Sequence, residues 1–183
     1  MVPDDDLGAA DLLRRLSLLL HATAASPSDA TVLQLALAQA VAATGADIAV
    51  LGRVTDQDVI DVTLLFDTGA TVHEIGVLDV DSRYPLTDVV VRERAIWLAS
   101  PPEIRLGYPD GGALWGCAFA GVPLMAGGVA VGAIGLIYDA TGHYFTAAER
   151  EYLSAVADLC ATVLAHPHAQ TWPPREVSPV ADT

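Results

Sequence analysis

The chain holds two cysteines, Cys117 and Cys160. A thiol attacks only as its thiolate, and two-step thiol redox chemistry needs a second sulfur within reach. Cys117 stands just before the apolar run that contains Ala118 and Phe119, and Cys160 falls on the apolar stripe of a helix. Both therefore read first as small buried hydrophobes. One disulfide is conceivable; a disulfide framework or a four-cysteine metal site is not. The histidines His21, His73, His143, His166 and His168 never form a His-x-x-x-His or His/Cys cluster on one element, so no metal is expected. Asp56 with Asp58 and Asp79 with Asp81 read as turn residues and solvated edges before they read as an acid–base pair. Gly132 and Gly135 lie within a strand and no Lys-Ser/Thr follows them, so they are not a phosphate loop. They predict close packing of the last helix over that strand.

The elements that would position these residues follow from periodicity. Residues 1–5 are expected to fray. From Asp6, Leu7, Ala10, Leu13, Leu16 and Leu20 recur at helical spacing, with Leu12 and Leu19 widening the stripe. That stripe must be covered, either by its own domain or by a partner's helix. Ser26-Pro27-Ser28-Asp29 predicts a second helix capped by Ser26, buried through Val32, Leu33, Leu35, Ala36, Ala40 and Val41 and stopped at Gly45. Ala46–Arg53 alternates with both faces apolar and is predicted to be a central strand. Val59–Phe66 and Val72–Val77 follow, joined across Asp67-Thr68-Gly69 in an antiparallel meander.

Tyr84-Pro85 predicts a short helix from Thr87 or Asp88 to about Arg94, with Leu86, Val89 and Val90 buried. Ile96–Leu98 is a short strand. Pro101-Pro102, Gly107, Pro109 and Gly111-Gly112 then punctuate a long connection, where binding groups usually sit. At the end come a strand through Pro123-Leu124, a Gly127-Gly128 turn and a returning strand to Tyr138. The final helix opens on a Thr146/Glu149 capping box and carries Leu153, Val156, Ala157, Cys160, Val163 and Leu164 on one stripe up to Pro167.

At 183 residues the chain can bury one sizeable core. Its 23 acidic and 9 basic residues give a formal net charge of −14, which disfavours nucleic acid and anionic membrane surfaces as partners. The acidic start lacks the charge pattern of a secretory signal, and no apolar run reaches a membrane span. A cytoplasmic location is expected.

Taken together, the order of strand, Pro-Leu, Gly-Gly turn, Gly-x-x-Gly strand, Phe-Thr, Glu-Arg and small-residue helix over Gly121–Pro167 resembles the C-terminal half of a GAF domain. This is the sensory module of bacterial signalling proteins, and the resemblance implies an actinobacterial type. Val41–Ala46, Tyr84-Pro85-Leu86-Thr87 with Val89-Val90, and Ile96-Trp97-Leu98 extend the resemblance to residues 28–166. It implies an α/β (α+β) fold: a central antiparallel sheet, terminal helices on one face, and the short helix with long loops on the other.

The implied organisation is an N-terminal dimerisation helix over 1–25, a GAF-like domain over 26–166 and a Pro-rich linker or disordered tail over 167–183. The implied function is non-catalytic sensing of an unidentified small molecule, passed through a helical homodimer to a kinase or phosphatase output domain. Pocket candidates are Trp97, Tyr108, Trp115, Cys117, Phe119 and His73, around an apolar cavity between the sheet and residues 78–116. Interface candidates are Leu7, Leu13, Leu16, Leu20, Tyr152 and Leu159, with Ala148, Tyr152, Ala155 and Leu159 forming an exposed flank of the last helix.

Some members attach a tetrapyrrole through cysteine, and one branch reduces free methionine sulfoxide with several pocket cysteines. Both chemistries would fall to Cys117. A haem-binding member would ligate iron through a pocket histidine, which points to His73 and His143. No cofactor is expected, and the Asn-Lys-x-Phe-Asp-Glu signature of nucleotide-binding members is not reproduced. The alternatives are a thiol oxidoreductase of the free methionine sulfoxide reductase type and a ligand-free dimerisation module. Glu93 and Ala95 stand where relatives usually show Gly and then Pro, which predicts a looser turn before the middle strand.

Overall fold

Apolar alternation in the strands is answered by an antiparallel neighbour for each of them. The computed structural model describes residues 4–25, 28–55, 59–67, 73–109, 117–138 and 142–165. In chain order these form α1 (Asp4–Ala25), α2 (Asp29–Thr44), β1 (Ile48–Val54), β2 (Val59–Asp67), β3 (His73–Asp79) and α3 (Pro85–Val91). After these come β4 (Ile96–Leu98), α4 (Pro101–Gly107), β5 (Ala118–Ala126), β6 (Val129–Tyr138) and α5 (Ala147–Leu164). The sheet order is β3-β2-β1-β6-β5-β4, antiparallel throughout. β1 is central as expected, with Val50 paired to Leu64 on one side and Gly135 on the other.

Because successive side chains of a strand point to opposite faces, the sheet supports two apolar layers. On one face α1, α2 and α5 bury Leu33, Leu37, Leu51, Leu124, Ile134, Leu136 and Leu153. On the other, α3 and α4 cover Val50, Ile60, Val62, Phe119 and Ala133 with Leu86, Val89, Val90 and Ile104. This mixed α/β arrangement has the helix layers that the sequence led us to expect.

Several local signals act as read. Gly45 ends α2 in the left-handed region at φ 71°. Gly127 and Gly128, at φ 61° and 87°, make the two-residue turn between β5 and β6. Thr146 Oγ1 accepts from the Glu149 amide at 3.2 Å, and Glu149 Oε2 accepts from the Thr146 amide at 2.8 Å.

Other elements differ from expectation. α1 begins at Asp4 rather than after the fifth residue, and α3 runs Pro85–Val91. Ser28, not Ser26, caps α2, its Oγ accepting from the Thr31 amide at 3.2 Å. Ser26 and Pro27 lie outside the described residues, as do Thr68, Gly69 and everything beyond Ala165. The punctuated connection after β4 contains a helix, α4, because Pro101 and Pro102 occupy its first turn, where an amide hydrogen has no intrahelical partner. Gly132 and Gly135 serve packing, but not under the last helix. A Cβ at Gly132 would meet Gly52 O on β1, and one at Gly135 would meet Val50 and Phe119, which lie beneath α3. The turn before β4 is held despite its substitutions: Glu93 itself takes the left-handed conformation at φ 50°, and its Oε1 accepts from the Ala130 amide at 3.2 Å. Among the described residues no helix is long and apolar enough to cross a membrane.

Candidate site: an apolar cavity beneath α3

α3 is anchored before it begins. Thr87, buried, donates through Oγ1 to Ser82 O at 2.6 Å and accepts from the Tyr84 amide at 3.3 Å, while Pro85 supplies the helical φ. The entry to the helix is thereby fixed over the sheet, with Tyr84, Pro85 and Leu86 facing it. Beneath them lies a cavity of about 220 Å³. Its floor is Val50 of β1, Val62 of β2, Phe119 of β5 and Ile137 of β6, and Gly76, Val77 and Leu78 of the edge strand β3 complete it. Gly76 and Val77 are exposed, so the cavity opens between β3 and the start of α3.

The Phe119 ring can lie flat on the sheet because its neighbours lack side chains. A Cβ at Gly121 would come within 2.7 Å of the ring, and one at Gly135 within 3.0 Å. Of the described lining residues only Tyr84 carries a polar side-chain group. No thiol, carboxylate, imidazole or guanidinium is among the described lining residues. The arrangement can enclose an apolar group beside one phenol.

The sequence candidates divide around this cavity. Phe119 lines it. Trp97 does not, because it faces the other layer: its ring centroid lies 5.4 Å from that of Phe145, and the Arg150 guanidinium sits 5.2 Å above it. Tyr108 is buried outside the cavity, donating to Asp88 Oδ2 at 2.8 Å while Asp88 Oδ1 pairs with Arg92 Nε at 2.8 Å. Burial and the Asp88 carboxylate push the Tyr108 hydroxyl up to about 12. This pair ties the end of α4 to α3.

Cys117 is half-buried just ahead of β5 and is not part of the wall. Trp115 lies outside the described residues. His73 opens β3 opposite Leu64, and its side chain lies outside the described set. His143 belongs to the helix-face layer, stacked on Tyr138 with ring centroids 4.0 Å apart and with Nε2 3.1 Å from Glu149 Oε1. That carboxylate and ring occupy it, so it is no cavity ligand. Among the described residues no cluster of three His, Cys, Asp or Glu could hold a metal ion.

Val50, Val62, Tyr84, Leu86 and Ile137 were not read as pocket residues. The signal for most of them was present as burial, since Val62 and Leu86 stand on faces the sequence marks as apolar. Only the register between strands brings them to one cavity.

The interface candidates also separate. α1 lies against its own α2 and α5, with Leu12 and Leu19 at 9% and 1% exposure and Leu16 half-buried. Leu13 and Leu20 remain 67% and 52% exposed. Tyr152 is enclosed under α1 rather than on a free flank, and burial pushes its hydroxyl up to about 12. Leu159 is half-buried against the same core. Nothing is described for the Leu7 side chain.

Cys160 is fully buried on α5, and burial pushes its thiol up to about 12. A thiolate there is inaccessible at neutral pH.

A family model described as GAF domain matches residues 27–165. Among solved structures, the GAF domain from an Acinetobacter phosphoenolpyruvate-protein phosphotransferase superposes with a TM-score of 0.73 at 17% identity, over 86% of this chain and 95% of that one. The corresponding GAF domain from Coxiella burnetii gives 0.72 at 22% identity, over 88% and 96%. A free methionine-R-sulfoxide reductase from Neisseria meningitidis gives 0.67 at 14% identity, over 85% and 89%. No curated protein matches the chain. At these identities the likeness to solved structures is one of fold.

Proposed function

The chain belongs to the GAF domain family, and on that premise we propose that it is a non-catalytic sensory module of a bacterial signalling protein whose input is a small molecule held beneath α3. The observation that carries this reading is the 220 Å³ cavity, open at one edge and walled by the fixed start of a short helix. Concave, mostly apolar sites with a few polar groups are where small ligands bind. A ligand there touches both α3 and β5, and β5 packs α5 on the opposite face. Occupancy that favours one placement of α3 therefore biases the helix layer by population shift. The output partner is a kinase or phosphatase domain coupled to that layer.

The second part of the proposal is a homodimer built on the outer edge of α1. The leucine stripe is wider than the groove it docks into. Leu12 and Leu19 are satisfied within the chain, while Leu13 and Leu20 stay 67% and 52% exposed and so each forgo roughly half or more of the about 1.5–3 kcal/mol that full burial brings. Pairing two copies along this edge removes that cost and places matching helices side by side.

A thiol oxidoreductase reading has less support. One of the solved structures of similar fold is a sulfoxide reductase, but here Cys160 is sealed in the core, which leaves Cys117 without a resolving sulfur.

Protein purified without denaturation from its native host, extracted with organic solvent and analysed by mass spectrometry, tests the sensory reading. A stoichiometric small molecule is expected from the wild type and not from a Val62→Phe variant, whose added ring fills the cavity. Equal recovery from both proteins would contradict the site.

A further inference from the structure

Resting on that sensory reading of the cavity, we infer that its ligand is electrically neutral and largely hydrocarbon, with a single hydroxyl or carbonyl at most. Val50, Val62, Leu86, Phe119 and Ile137 present only carbon, and Tyr84 brings the one polar side-chain group among the described lining residues.

A carboxylate, phosphate or ammonium entering such a space gives up its hydration and meets no opposite charge. That cost far exceeds what dispersion returns. No described wall residue supplies the missing charge. Arg92 is engaged by Asp88 on the outer side of α3, Arg150 lies over Trp97 on the other face of the sheet, and no arginine is among the described wall residues. A neutral molecule with one oxygen, by contrast, needs one hydrogen-bonding group, and the Tyr84 phenol can either donate or accept.

Volume sets the size. An apolar cavity of about 150 Å³ holds one benzene molecule, so this one takes about nine carbon-sized atoms. The volume also falls below the roughly 300 Å³ at which drug-sized sites begin. A substituted monocycle or a medium-length chain fits; a nucleotide or a polycyclic cofactor does not. Apolar burial of such a molecule displaces poorly satisfied water and gains from close packing against Phe119 and Leu86.

Three monocyclic probes matched at about nine non-hydrogen atoms separate charge from size: 4-ethylphenol, benzoate and 4-methylbenzylammonium at pH 7. Binding is read from methyl signals of Val50, Val62, Leu86 and Ile137 in the full chain by carbon–proton NMR. We expect 4-ethylphenol to shift these methyls in a saturable way and both charged probes to bind at least ten-fold more weakly. Two independent filling variants, Val62→Phe and Ile137→Phe, should lose the 4-ethylphenol response while retaining the methyl dispersion of the helix-face layer. Equal or tighter binding of a charged probe at these methyls would overturn the ligand class and leave the sensory site standing. Silence from all three probes would overturn the ligand class and the sensory reading together, and saturable binding that survives both filling variants would show that the occupied site lies elsewhere.

Discussion

Phe119 pairs across the sheet with Leu98, one residue along from Trp97, which pairs with Ala120. That single step sends the two aromatic side chains to opposite faces, Phe119 beneath α3 and Trp97 against Phe145 and Arg150. Truncating each ring should therefore separate stability from binding. Trp97→Ala should cost up to about 3 kcal/mol in denaturant unfolding, the lower end for a half-buried ring, and leave the 4-ethylphenol affinity of the cavity unchanged. Phe119→Leu should alter that affinity several-fold by reshaping the floor. A loss of binding in Trp97→Ala without loss of fold would contradict the assignment of faces.

The Glu93 turn gives a cleaner comparison. Glu93→Ala keeps the left-handed backbone and removes the hydrogen bond to the Ala130 amide, so it should destabilise by about 1 kcal/mol. Glu93→Gly removes the same bond but relieves the left-handed cost, so it should be more stable than the alanine variant by about 1 kcal/mol. Equal stabilities by urea unfolding would show that the turn is not held in this conformation.

Legibility followed how local each signal was. The Thr146/Glu149 box, the Gly45 stop and the Gly127-Gly128 turn each depend on a few adjacent residues, and all were readable. α4 was hidden because Pro101-Pro102 terminates a helix that precedes it and initiates one that follows, and the letters alone do not say which. The cavity was legible as a place, between the sheet and the segment after residue 78. Apart from Phe119 its residues were not, since whether Trp97 or Phe119 faces α3 depends on strand register, a long-range property. Trp97 and Tyr108 stand out by residue type, whereas the wall is made of Val50, Val62 and Ile137, which look like ordinary core.

Thiol accessibility should follow burial. At pH 8 a thiol reagent should modify Cys117 in the folded chain, and Cys160 only as fast as the protein unfolds, because its thiol is enclosed and raised to about 12. The native state holds the Cys160 proton from its ordinary value of 9.0 up to about 12, while the unfolded chain releases it above 9. The wild type should lose stability as pH rises through that window, with Tyr108 and Tyr152 adding to the loss above 10. Cys160→Ala should show a shallower decline just above pH 9. An unchanged slope there would contradict the burial of this thiol.

The two edges of α1 should respond differently to charge. Leu12→Glu with Leu19→Glu should detach the helix and lower stability by several kcal/mol, as expected for unpaired charge in a core. Leu13→Glu with Leu20→Glu should preserve the circular dichroism and halve the mass seen by light scattering at tens of micromolar. A wild type that is already monomeric under those conditions would contradict the dimer.

Amide hydrogen exchange across the full chain, with and without saturating 4-ethylphenol, bears most directly on the claim that α3 reads an occupied cavity. Slower exchange is expected in Pro85–Val91 and in the Gly76–Leu78 stretch of β3, and it should be lost on Val62→Phe. Unchanged exchange in α3 on saturation, or the same protection in the filled variant, would contradict that claim.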